Sequence, residues 1–161
     1  MSETVYERFD TQADYQSAVD RLLGQPGREL RIFDPDLASL RLNDPARIAR
    51  LTQFLAASRT RRLYIALHNP DHLVRQCPRM MSLLARYSHA IQVNRTDESI
   101  RELQDAFLVL DASHYVRRPV AHFFRGALGF GDETEGLAMR GRFGEIWAAS
   151  SPAVSATTLG L

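Results

Sequence analysis

The chain contains no lysine; all 20 of its basic residues are arginine. Every mechanism that needs a lysine amine is thereby excluded, including Schiff-base and pyridoxal phosphate chemistry and the P-loop lysine. Cys77 is the single cysteine, so neither an intrachain disulfide nor a cysteine-rich zinc site can form. No apolar run approaches the roughly 20 residues that span a bilayer. The opening Met1-Ser2-Glu3-Thr4 is acidic and polar, unlike a secretory leader. Formal net charge is only +1, so no global field draws the chain to nucleic acid or anionic lipid. Cytoplasm is the expected compartment, with neither membrane nor nucleic acid as a strong partner and no cofactor.

What is present describes one globular domain. The chain has 161 residues, 45% hydrophobic and 24% charged, enough to bury a layered core. Residues 1–10 read as a lead-in and 151–161 as a small, polar, mobile tail. Asp10 or Thr11 can cap a first helix, whose apolar stripe is Ala18, Val19, Leu22 and Leu23. Arg28 to Phe33 alternates as a strand and ends at Asp34-Pro35-Asp36. Asp44-Pro45 opens a second helix with Ile48, Leu51, Phe54 and Leu55 inward. Leu63 to Leu67 is apolar on both sides, which predicts a central parallel strand. Pro78 predicts a kink or break in the helix that follows.

Ala90 to Val93 is a third strand, and Arg95 to Leu103 a loop with one helical turn. Ala106 to Leu110 and His114 to Arg118 pair as a hairpin about Asp111-Ala112-Ser113. Phe123 to Phe130 forms a further strand weakened by Gly126 and Gly129. Asp132 caps a closing helix with Leu137, Met139, Phe143, Ile146 and Trp147 inward. Helices and strands alternate first and strands cluster later, which predicts an α/β layered mixed sheet flanked by helices.

The stretch Gln104-Asp105-Ala106-Phe107-Leu108-Val109-Leu110-Asp111, with Phe143 and Trp147 in the closing helix, resembles one lobe of the phospholipase D superfamily over residues 11–150. The resemblance places the aspartate of the H-x-K-x4-D motif at Asp111. It puts Gln104 where the nucleophilic histidine falls and Ala106 where the lysine falls, so the motif is degenerate. The usual glycine-serine and asparagine are not recognisable. The resemblance implies a single-lobe fold without the family's catalytic pair, since an amide is no nucleophile and alanine carries no charge. It also implies a homodimer or a fused partner domain, because these enzymes join two equivalent lobes. The chain is similar, without a shared motif, to an uncharacterised bacterial domain sometimes attached to N-acetyltransferases.

No catalytic set and no metal site is assigned from the residues. The histidines match no zinc-ligand spacing. His68, Asp71 and His72 follow the central strand, where ligands of open α/β sheets bind; the same residues serve equally as a turn and as the Asp71 cap of the next helix. Asp111, His114 and Arg118, with Arg117, His122 and Arg125 nearby, can hold a small phosphate or carboxylate or form a solvated strand face. Arg59, Arg61 and Arg62 read as a solvated turn, and Cys77 as a buried apolar position. Two functional classes follow: a non-catalytic module in regulation, ligand binding or assembly, and a hydrolase or phosphoryl-group enzyme with a relocated histidine-based site. Convergence of His68, Asp111, His114 and Arg118 in one cleft would favour the enzyme.

Overall fold

The computed structural model describes residues 3–154. Eight strands form one sheet: β1 (Val5–Phe9), β2 (Glu29–Asp34), β3 (Arg62–Leu67), β4 (Ile91–Thr96), β5 (Ala106–Leu110), β6 (His114–Arg118), β7 (Gly126–Phe130) and β8 (Ser150–Val154). Their order across the sheet is β1-β7-β6-β5-β2-β3-β4-β8. Only β2, β3 and β4 run parallel. The five helices are α1 (Gln12–Leu23), α2 (Pro45–Ala56), α3 (Asp71–Gln76), α4 (Pro78–Arg86) and α5 (Glu133–Ala148).

Local chemistry sets these boundaries as the sequence predicts. Thr11 accepts from the Asp14 N–H at the start of α1, and Asp44 from the Ala46 N–H at the start of α2. Both satisfy an orphan donor of a first helical turn. Pro78 cannot donate inside a helix, so the helix breaks at Cys77 into α3 and α4. Alternation divides the sheet between two cores. Leu30, Ile32, Leu63, Ile65, Leu108, Leu110 and Val116 face α1 to α4. Phe33, Ala66, Phe107, Val109 and Tyr115 face α5 alone.

Four expectations change. Residues 5–9 are no lead-in but strand β1, antiparallel to β7. Residues 150–154 are no loose tail but strand β8 on β4; residues 155–161 lie outside the described residues. The two glycines of β7 do not weaken it. A Cβ at Gly129 would lie 2.3 Å from the Tyr115 ring, and one at Gly126 lies 1.9 Å from the Arg117 carbonyl, so both permit close approach of β6. Leu137 is 59% exposed, because α5 presents only one stripe to the sheet.

Trp147 is half-buried, stacks on Phe143 at 5.5 Å and meets Tyr64 edge-on. Leu110, expected beside it, belongs to the opposite core. Phe143 is 2% exposed and central to the α5 core. Phe143→Ala should therefore lower unfolding free energy by about 3–5 kcal/mol, and Trp147→Ala by less, about 2 kcal/mol. Urea unfolding of the two variants checks the order.

Candidate functional site

One row of residues crosses three strands at the carboxyl end of β2. Ala106 of β5 lies opposite Arg118 of β6. Phe33 lies opposite Phe107, so the next position outward brings Asp34 beside Ala106. All three side chains stand on the α1 side, in phase with Ile32, Leu108 and Val116. The Ala106 methyl leaves space above β5, and Arg118 crosses that space to Asp34. Its Nη2 donates to Asp34 Oδ1 at 3.0 Å, with both side chains 2% exposed or less. Its Nη1 donates to the Ala121 carbonyl at 2.7 Å. The guanidinium lies 4.4 Å over the Tyr15 ring and 5.5 Å from that of Phe124. Nε is buried without a hydrogen-bond partner. The expected basic strand face is thus, at Arg118, an interior ion pair in an aromatic cage.

The pair is wired into the surrounding loops. Asp34 Oδ2 accepts from the N–H groups of Leu37 at 2.7 Å and Asp36 at 3.1 Å. Leu37 sits at φ 70°, a left-handed geometry that a branched side chain adopts only when its surroundings hold it. Burial raises the Asp34 carboxyl above its ordinary range, against the pull of the Leu37 N–H and Arg118. Burial likewise raises the Tyr15 hydroxyl, which Arg118 opposes. Ala121 also donates its N–H to the Gln104 carbonyl at 2.6 Å. The 119–125 loop therefore folds over the sheet end at Gln104 and Ala106. Arg142 of α5 grips the intervening Asp105 through two bonds of 2.7 and 2.9 Å.

The other face of this sheet end is closed too. His68 follows β3 and is half-buried against Phe33, edge to face at 5.4 Å. Its Nε2 meets the Leu103 carbonyl at 2.8 Å and its Nδ1 meets Thr96 Oγ1 at 2.6 Å. A carbonyl only accepts, so Nε2 carries a proton. Both ring nitrogens are occupied. Asp71 and His72 lie in the first turn of α3; the Asn69 side chain, not Asp71, accepts the N–H there.

Asp111 and His114 lie at the opposite end of the sheet, about 13 Å along β6 from Arg118 at ~3.3 Å per residue. Asp111, at φ 55°, accepts from the N–H groups of Arg28 at 2.9 Å and Glu29 at 3.0 Å. Asp111 is thus a turn clamp. His114 Nδ1 accepts from the Gly131 N–H at 3.1 Å, and burial lowers its pKa while Asp111 opposes the shift. Of the sequence-predicted residues, His68, Asp71, His72 and Arg118 share one sheet end and Asp111 and His114 the other. His68, Asp111, His114 and Arg118 do not converge in one cleft, and the sheet itself separates His68 from Arg118. Among the described residues no three His, Cys, Asp or Glu side chains gather as a metal site. Also among them, no helix is long and apolar enough to cross a membrane.

Sequence reasoning missed Asp34, Tyr15 and Phe124. Tyr15 falls in the stripe of Ala18, Val19 and Leu22, a signal for burial, but nothing local names its partner. Arg118→Met should cost about 3–5 kcal/mol, because it strands a buried carboxylate. Asp34→Asn in the same chain should recover part of that loss, since its amide oxygen still accepts from Leu37. Asp111→Ala should cost about 1–3 kcal/mol by orphaning two N–H groups. Chemical denaturation of these variants tests both statements.

Comparison with known proteins bears on the fold. The fold is that of Nuc from Salmonella typhimurium, a phospholipase D family member, at TM-score 0.63 and 11% identity, covering 95% of this chain and 100% of Nuc. NucT from Helicobacter pylori matches at TM-score 0.63 and 14% identity, over 94% of this chain and 100% of NucT. TrmBL2, an archaeal chromatin protein described with a mode of DNA binding, matches at TM-score 0.64 and 13% identity over 92% of this chain. This chain spans only 54% of TrmBL2. At such identities the likeness is one of fold alone. No curated protein matches the sequence. A family model described as a domain of unknown function, DUF7931, matches residues 11–159. The chain therefore belongs to the DUF7931 family, built on a phospholipase D-like fold.

Proposed function

We propose that this domain is a non-catalytic phospholipase D-like module that acts through ligand binding or assembly and not through phosphoryl transfer. The observation that carries the reading is the plugged sheet end. Gln104 and Ala106 hold the positions of the motif histidine and lysine. The cation above Ala106 belongs to Arg118, which is 1% exposed and already neutralised by Asp34. Phosphoryl transfer requires an attacking atom and an available positive charge beside the transferred group; Gln104, Ala106 and the buried Arg118 supply neither.

A relocated histidine-based enzyme has less support. His68 has no free ring nitrogen, and His114 stands at the far end of β6. A small anionic ligand fits the reading better, since Arg117 of β6 and Arg125, just before β7, are exposed. Their surroundings are not uniformly basic: Arg117 lies 3.7 Å from Glu135. The DNA binding named for TrmBL2 is not extended to this chain, whose net charge is +1.

The expected result is no turnover of a chromogenic phosphodiester above the buffer rate, across neutral pH and with or without divalent cations. Turnover that disappears in Gln104→Ala or His68→Gln would overturn the proposal.

A further inference from the structure

The two edges of the sheet are built differently. Strand β8 carries Pro152, and its register with β4 shifts between Val93 and Asn94. A proline and an irregular register both hinder a further strand from adding. Strand β1 has no proline, no glycine and no bulge, and runs in unbroken register with β7 from Val5 to Phe9. Among the described residues nothing pairs with its outer side. Its sequence Val-Tyr-Glu-Arg-Phe suits a strand inside a sheet. An open, regular edge of this kind is a template for another strand.

Its side chains fit a second copy of themselves. We propose that two copies of this chain join through β1, antiparallel about a twofold axis at Glu7, so that the sheet continues across the interface. The inference rests on the assembly reading above and names its partner and surface. In this register Tyr6 of each copy lies opposite Arg8 of the other, and Val5 opposite Phe9. Directly opposed residues share a face and interact.

Tyr6 and Arg8 stand on the α5 face of the sheet but are left exposed at its edge, Tyr6 by 57%. An arginine over a tyrosine ring is an attractive pair, one the chain already makes at Arg31–Tyr64 and Arg118–Tyr15. Glu7 meets its own copy at the axis, but each Glu7 is ion-paired with Arg21 of α1, so the four charges cancel. Neighbouring symmetric registers fit worse. An axis at Arg8 sets arginine against arginine with no carboxylate opposite. An axis at Tyr6 sets Val5 against the Glu7 carboxylate. Between β1 and α1 lies a groove of about 410 Å³ lined by Glu7, Phe9, Ser17, Ala18 and Arg21 among others. It leaves room for the α1-side side chains of the incoming strand.

Sedimentation or light scattering across a concentration series should show a species of twice the 18.2 kDa chain mass. Tyr6→Arg and Arg8→Glu should each weaken dimerisation by about tenfold or more, because two arginine–tyrosine contacts are lost per dimer and the first variant also sets like charges opposite each other. Their far-UV circular dichroism should stay unchanged, since both side chains are exposed. The register is tested separately with Tyr6→Cys and Arg8→Cys, against a buried Cys77. Oxidation should cross-link an equimolar mixture of the two variants and neither alone. A monomer at every concentration, a dimer indifferent to both charge variants, or cross-linking of Tyr6→Cys with itself would overturn the proposal. None of these outcomes touches the expected lack of phosphodiester turnover, and turnover would leave the cross-linking result standing.

Discussion

The Arg118–Asp34 ion pair holds together the carboxyl end of the central strands. Two charges taken out of water carry a desolvation cost of several kcal/mol each, which close pairing and further hydrogen bonds must offset. The surroundings supply them. Asp34 receives two backbone N–H groups in addition to the guanidinium. Arg118 gives one donor to Ala121 and lies over the Tyr15 ring. One contact therefore couples strand β2, strand β6, helix α1 and two loops.

Such a centre has consequences for its neighbours. The left-handed Leu37 is held because its N–H is fixed by Asp34, and the loop it opens is fastened again by Arg47. That buried guanidinium reaches the Leu40 carbonyl, the Gln16 side chain and backbone, and Asp20. Leu37, Leu40 and Leu42 can then enter the core from a segment with almost no regular structure. On the far side of the sheet, His68, Thr96 and Leu103 close the same end by hydrogen bonding. The sheet end is thus packed and satisfied on both faces.

Closure of that end directs attention to the sheet edges. The chain blocks one with a proline and an irregular register and leaves the other regular, aromatic and charged. An unprotected edge strand is a liability in a soluble protein unless something covers it, and the alternation of Val5 to Phe9 makes a second copy the natural cover.

Much of the fold was legible locally. The caps Thr11, Asp44 and Asp132, the break at Pro78, the apolar β3 and the hairpin at Asp111 each follow from chemistry within a few residues. The absence of lysine likewise excludes every reaction that needs a lysine amine. What the sequence could not determine is long-range pairing. Strand β1 is five residues whose only evidence is a partner more than a hundred positions away. Asp34 and Arg118 are 84 residues apart, and each in isolation reads as a turn former or a solvated charge. Tertiary structure alone decided that they meet over the methyl of Ala106. It also decided that Asp111 and His114 lie at the other end, because strand direction separates residues that are neighbours in sequence and joins residues that are not.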